Sequence, residues 1–190
     1  KGYYKNQEAT KNTIIENWLH TGDLGKIDSD GYLYITGRIK EIYVSSGGKN
    51  IAPLVIEETM KSIPIVSQCF LVGDKRKYCS ALFTLDVGAI LRDKLGIETL
   101  EIPKDPFQQI KMLETMDKKL IDYTDNQHTR NEINDKVEEL NQKFSNPEQI
   151  KKFAILPRDF SIDFGELTPT LKIRRKQITE NWLKEIESLY

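Results

Sequence analysis

Four short stretches of this 190-residue chain carry side chains whose type and spacing could do chemistry. Thr21-Gly22-Asp23 sets a carboxylate on a turn. Held rigidly, such a group accepts two charge-assisted hydrogen bonds, the pattern a ribose 2′,3′-diol offers, although a Gly-Asp turn alone usually just caps local backbone. Gly37-Arg38 supplies a permanent cation with five donors, suited to ribose oxygens, to a phosphate, or more plainly to a surface ion pair with Asp28 or Asp30. Ser45-Ser46-Gly47-Gly48-Lys49-Asn50 lets the backbone turn sharply or approach a ligand closely; by itself it reads as a strand-to-helix turn. Thr168-Pro169-Thr170-Leu171-Lys172 leads into Ile173-Arg174-Arg175-Lys176, a basic run placed where a helix should begin. The positive end of a helix repels cations, so this run points to a functional reason rather than to a solvated helix start.

The elements that must hold these residues are legible in outline. A short helix over Asn6 to Thr13 has Asn6 as N-cap and Glu8 in its first turn. Leu24–Ile27 and Tyr32–Ile35 flank the turn Ser29-Asp30-Gly31 and predict a hairpin too small to stand alone. Tyr43-Val44 favours extended structure, and Pro53 suits the first position of a helix with Val55, Ile56, Thr59, Met60 and Ile63 on its apolar face. Strands are expected at Val66–Val72 and Ser80–Leu85, then a helix near Gly88–Leu95. Between Ile102 and Ile150 the chain turns polar and helical: Ile110, Leu113, Met116 and Leu120 mark one face, and Ile133, Val137, Leu140 and Phe144 another. Asn146-Pro147-Glu148 has the cap, proline and acid of a third helix start. Phe153–Leu156 returns to strand character, and Ile178, Trp182, Ile186 and Leu189 line one side of a terminal helix. The fold class is α+β: a small mixed sheet of about three strands flanked by helices, with a helical insert and an N-terminal β-hairpin.

With 38% hydrophobic and 30% charged residues, the composition suits a soluble α+β protein with long solvated helices. A formal net charge of −1 argues against a general nucleic-acid binder. No apolar run reaches the length of a membrane span. Cys69 and Cys79 fit neither a disulfide framework nor a zinc spacing and read as core thiols of a reducing compartment; no metal site is expected.

Together the Thr21–Asp23, Gly37–Pro53 and Thr168–Arg175 islands resemble the C-terminal end of the acyl-adenylate-forming enzymes, which include acyl-CoA synthetases, peptide-synthetase adenylation domains and firefly luciferase. The details look most like a long-chain fatty acyl-CoA synthetase of the bubblegum type. The resemblance implies nucleotide binding by Asp23 and Arg38 at the ribose, a hinge at Lys40, and a tunnel for the pantetheine of CoA bordered by Ser45, Ser46, Gly47 and Gly48. It makes Lys172 the catalytic residue. Adenylation brings a carboxylate up to an α-phosphate, and an ammonium at their junction offsets the repulsion, an effect on the order of 10²–10³-fold in rate. Arg175 stands three residues on, where the family has an arginine. Leu171 departs from the glycine many members carry, as bulky residues of the long-chain enzymes do. Glu57-Glu58 falls near a glutamate common in the family and is also ordinary helix chemistry; it is read as structural.

The implied organisation is a tail of an N-terminal adenylation domain over 1–37, a hinge over 38–41 and a mobile C-terminal domain over 42–190, with the insert near 97–150. The implied reaction is an ATP-dependent fatty acid–CoA ligation with ATP, Mg2+ and CoA, none held tightly by this piece. Its partners would be the N-terminal domain of the same chain and the substrates, with no nucleic acid and a peripheral contact with an intracellular membrane from a cytoplasmic location. The chain lacks an initial Met and the resemblance begins at once, so a fragment, inactive alone, is expected. No S-G-T-T-G-x-P-K-G phosphate loop is present. The alternatives are a synthetase for another carboxylic acid and a non-catalytic interaction domain that kept the fold.

Overall fold

A computed structural model describes residues 2–45 and 47–190. In chain order the elements are α1 (Gln7–Thr13), the strand pair β1 (Ile14–Ile15) and β2 (Trp18–Leu19), the hairpin β3 (Asp23–Ile27) and β4 (Leu33–Arg38), a 3-10 turn at Ile39–Glu41, and the pair β5 (Tyr43–Val44) and β6 (Asn50–Ile51). Then follow α2 (Pro53–Met60), β7 (Val66–Val72), β8 (Cys79–Leu85), α3 (Val87–Ala89), α4 (Pro106–Thr115), α5 (Ile121–Thr124), α6 (Gln127–Asn141), β9 (Ile150–Ile155), α7 (Arg175–Asn181) and α8 (Leu183–Glu187).

The body is organised on the sheet β7-β8-β9, in which β8 pairs antiparallel with β7 and parallel with β9. Every residue of β8 is buried, as a central strand covered on both faces requires. Successive side chains point to opposite faces, and the two cores divide accordingly. Cys69, Leu71, Ala81 and Phe83 pack with Ile56 and Met60 of α2 and with Leu113, Ile133 and Val137 of the helical block. Phe70 and Leu82 pack on the other side with Phe160, Ile178, Trp182, Ile186 and Leu189. The helical block therefore serves as the crossover between the two parallel strands, and its apolar stripe is core.

Several expectations shift in detail. On α2 the buried positions are Pro53, Ile56, Glu57 and Met60, while Val55 is exposed and Thr59 half-buried; the helix is rotated because a carboxylate, described below, takes an inward place. The helix foreseen at Gly88–Leu95 is α3 running into a π-helical turn, Ile90–Lys94, closed by Leu95 N–H donating to the Ile90 carbonyl. Asn146–Glu148 makes one 3-10 turn with a Ser145/Glu148 capping box and no more. The Asn141 side chain claims both backbone groups of Ile150 and draws the chain into β9. Ile110 and Met116 of the block stand partly exposed, unlike Leu113. The last helices begin at Arg175, not Lys172, since the preceding residues form a separate turn.

Residues before Tyr43 behave differently. Asn6 caps α1 by accepting from Ala9 N–H, and the hairpin forms across the Ser29-Asp30-Gly31 turn as expected. Yet among the described residues of this arm only Gly37 is buried, and Trp18, Leu19, Ile27, Tyr32 and Leu33 are exposed.

Candidate functional site

Asp23 and Arg38 meet because the hairpin is irregular. From Ile27↔Leu33 to Gly25↔Ile35 the register is regular; a bulge between Leu24 and Gly25 then shifts it by one, so Asp23 faces Arg38. Without that bulge Asp23 would face Gly37, a one-residue slip of the kind that re-aims side chains near functional sites. Arg38 Nε donates to Asp23 Oδ1 at 2.8 Å, while both side chains keep solvent contact. Asp28 and Asp30, the partners a plain surface pair would use, are not the ones chosen; Asp28 instead accepts from Asp30 and Tyr32 N–H and holds the hairpin turn. At Gly22, φ of +77° makes the turn that presents Asp23, whose N–H donates to Thr21 Oγ1. The result is a carboxylate with a free edge beside a guanidinium, a donor–acceptor set that fits a vicinal diol.

Arg38 leads into the 3-10 turn that carries Lys40, exposed, and Glu41. Lys40, Glu41, Tyr43, Ile173 and Arg175 line one cleft, so the turn expected to be a hinge faces the segment that follows Lys172. Of the glycine loop, Ser45, Gly47 and Gly48 are described and Ser46 lies outside the described residues. The loop closes a small hairpin rather than leading straight into α2: β5 pairs with β6, Ser45 N–H donates to the Lys49 carbonyl, and Gly48 N–H to that of Ser45. A Cβ at Gly48 would meet nothing, but its φ is +77°, so backbone conformation and not crowding demands glycine there. Ser45 and Gly47 open on a second cleft with Arg76, Lys77, Asn146 and Lys151. Lys49 joins the loop to the end of the helical block through Ser145 and Glu148.

Lys172 is exposed on a tight turn. Thr168 N–H donates to the Lys172 carbonyl, Leu171 N–H to the Thr168 carbonyl and Lys172 N–H to Thr168 Oγ1, and Leu167 bridges Ile173. Leu171 has φ of +58°, the left-handed conformation that glycine adopts freely and leucine does not. The family's common glycine therefore matches the backbone found here, and leucine holds it under strain.

Sequence reasoning passed over what stands behind that turn. Arg175 Nη2 pairs with Glu57 Oε2 at 2.5 Å, Nη1 donates to the Tyr43 hydroxyl at 3.0 Å, and Nε lies 3.6 Å from Glu41. Tyr43 in turn donates to the Leu71 carbonyl and Glu57 Oε1 accepts from Leu71 N–H, so the network is tied to β7. Glu57 is only 4% exposed. Burial disfavours the Arg175 cation, but Tyr43, Glu57 and Glu41 outweigh it and keep the guanidinium charged; burial, reinforced by Glu57, pushes the Tyr43 hydroxyl well above its ordinary value. A signal for Glu57 was present: Pro53, Ile56, Glu57 and Met60 recur at i, i+3, i+4 and i+7, the spacing of a buried stripe. Among the described residues no three His, Cys, Asp or Glu side chains gather as a metal cage.

No protein-family model matches the chain. In sequence it is similar over its whole length to the long-chain-fatty-acid–CoA ligase FadD15 of Mycobacterium tuberculosis, 39% identical over 189 residues, covering 100% of this chain and 29% of that protein. It is likewise similar to the long-chain-fatty-acid–CoA ligase ACSBG1 of Mus musculus, 39% identical over 199 residues, covering 100% of this chain and 27% of that one. The chain thus spans less than a third of the length of the curated relatives it matches. Its fold is similar to part of the A domain of carboxylic acid reductase from Segniliparus rugosus, solved with AMP and a co-purified carboxylic acid: TM-score 0.70, 20% identity, covering all of this chain and 26% of that one.

Proposed function

We propose that this chain, related along its full length to long-chain-fatty-acid–CoA ligases, is the C-terminal portion of such a ligase, with residues 1–37 belonging to the preceding adenylation domain, 38–41 acting as hinge and 42–190 moving as a body. The observation that carries the reading is the pairing of Asp23 with Arg38 on an exposed hairpin edge, together with an exposed lysine on a rigid turn in a chain with that kinship. In the first half-reaction a fatty carboxylate oxygen bonds to the α-phosphorus of ATP and the bond to the β-phosphate oxygen breaks, releasing pyrophosphate. Asp23 accepts from the ribose diol and Arg38 orients it. Lys172 sits between two anions that would otherwise repel and stabilises the charge as it redistributes. Magnesium arriving with the nucleotide would supply neutralisation of the phosphate charge.

The body then turns about Lys40, withdrawing Lys172 and bringing Ser45, Ser46, Gly47 and Gly48 to border the entry of CoA. The thiolate attacks the acyl carbon, a C–S bond forms, the C–O bond to AMP breaks and AMP leaves. One domain serves both steps because each orientation assembles a different set of groups. Long-chain fatty acid and CoA are the substrates, and the remainder of the longer chain is the partner that covers the apolar arm. A cytoplasmic location at the surface of an intracellular membrane goes with this reading, and the free, buried thiols Cys69 and Cys79 agree with a reducing compartment. Burial pushes the Cys79 thiol up to about 11, so it stays protonated. Likeness to a carboxylate reductase domain favours one rival, the same fold serving a different acid.

Acid-dependent ATP–pyrophosphate exchange by the full-length protein tests the reading. Exchange should require a long-chain acid and fall about 10²–10³-fold in Lys172→Ala. Exchange supported only by some other acid selects the rival, and none with any acid leaves an interaction domain.

A further inference from the structure

Lys172 and Arg175 are joined by two residues that are themselves fixed: Ile173 bridges Leu167, and Arg174 N–H donates to the Glu166 carbonyl at 2.8 Å. Three residues of chain reach about 10 Å at most, so Lys172 stays within that distance of Arg175 and shares its anchorage to the Glu166–Thr168 segment. Arg175 is in turn gripped from three directions: by Glu57 of α2, by the Tyr43 hydroxyl and by Glu41 of the hinge turn. Its guanidinium fork matches the carboxylate and hydroxyl it meets, a fit that a lysine cannot reproduce. Phe70 lies beneath it, with the ring centroid 5.3 Å from the guanidinium carbon. The hinge turn and the lysine turn are therefore referenced to one buried cation.

We propose that Arg175, clamped by Glu57 and Tyr43, is a positioning residue that sets Lys172 relative to the hinge and so governs the first half-reaction without contacting substrate. This rests on the reading of Lys172 given above. The competing possibility is that the pair does no more than stabilise the fold, since a buried ion pair also fastens α7 to α2. The two differ in what else must change. A purely structural pair would lower both half-reactions alongside the melting temperature. A positioning pair acts through Lys172 and has no effect once Lys172 is gone.

The test uses the full-length ligase carrying Arg175→Met, Arg175→Lys or Tyr43→Phe, each with and without Lys172→Ala, assayed for pyrophosphate exchange and for thioester formation from a supplied acyl-adenylate. Arg175→Met should lower the kcat of exchange about 10²-fold, as a misplacement of about 1 Å does, and leave thioester formation within about twofold. Tyr43→Phe should lower exchange about tenfold, and Arg175→Lys should recover part of the Arg175→Met loss, on the same grounds. In the Lys172→Ala background neither Arg175→Met nor Tyr43→Phe should lower exchange further. Undiminished exchange in folded Arg175→Met overturns the proposal, as does an equal loss on the Lys172→Ala background or a matched loss of both half-reactions. If Arg175→Met does not fold, Tyr43→Phe, which removes one hydroxyl, decides by the same criteria. Wild-type exchange that ignores Lys172→Ala alone marks failure of the underlying reading instead.

Discussion

The arm before Tyr43 and the body after Ile51 are built by different forces. Both contain strands paired through their backbones, but the two cores draw all their buried residues from Ile51 onwards. The body closes around Phe70, Phe83 and Leu82, whereas the arm leaves Trp18 76% exposed and turns Ile27, Leu33 and Ile35 to solvent. Two-stranded hairpins without a packed face are marginal in water, and an exposed apolar patch marks a surface made to be covered. Hydrogen bonds give the arm its shape; burial gives the body its stability. The difference shows why one chain can hold a fixed domain and a segment that needs something else to complete it.

Two tryptophans, Trp18 in the arm and Trp182 in the body, can report each region separately. The largest expected effect is that of Phe83→Ala, which empties a fully buried site between the sheet and α2 at about 3–5 kcal/mol. Its urea transition, followed by Trp182 emission in a Trp18→Phe background, should move sharply to lower denaturant. Trp18→Ala should change stability by less than about 0.5 kcal/mol in this chain. A comparable loss from Trp18→Ala would erase the distinction between the regions.

Acid should act next, and on the body. Glu166 is buried, which alone would raise its carboxyl, but Arg158, Asn181 and the Ser161 N–H together hold it below its ordinary range. A carboxyl lowered by folding contributes stability above the unfolded value, about 4.3, and loses that contribution as pH falls through the lower folded value. Urea midpoints should be level near neutrality and decline below about pH 4, less steeply in Glu166→Gln. An unchanged slope in that variant would assign acid sensitivity elsewhere.

Smaller effects sharpen the picture at the functional turns. Leu171→Gly should raise the melting temperature, by relief of about 0.5–1 kcal/mol of left-handed strain at an exposed position. A drop would mean that leucine is held there by packing. Asp23→Asn breaks an exposed pair worth less than about 1 kcal/mol, so stability of this chain should hardly move, while under the proposed function the full-length protein should lose nucleotide affinity. Unchanged affinity would remove the arm's part in the site.

Much of the body was legible in the sequence. Val66–Val72 and Ser80–Leu85 stood as mostly apolar runs between turn residues, and the Ile178–Leu189 stripe kept helical spacing, because deep burial imposes its own pattern. Those two runs, with Phe153–Leu156, gave the three strands, and the structure supplies their antiparallel and parallel pairing. What stayed hidden involved polar groups buried through partners distant in sequence. Glu57 reads as ordinary helix chemistry, its partner unseen because that counter-ion is 118 residues away, and its inward turn displaces Val55 and Thr59 from the expected face. The bulge in the first hairpin follows no residue pattern, so Arg38 could be assigned as a cation but not matched to Asp23. β6 was missed since two residues carry no periodicity, and the helix start moved because backbone conformation at Leu171, not charge, ends the preceding turn.

The separation between Glu57 and Arg175 also bears on the order in which the chain can assemble. The β7–β8 hairpin is local and can pair early, but β9 must return across the whole helical block, and contacts that close long loops come slowly. During synthesis from the N-terminus, Glu57 is committed to the α2 side of the core long before Arg175 exists to neutralise it. A nascent chain stopped short of residue 175 thus lacks the cation that pairs with Glu57 and leaves the carboxylate only its Leu71 N–H against β7. Completion of folding waits for the last helices, and the segment that bears the lysine turn is also the one that seals the domain.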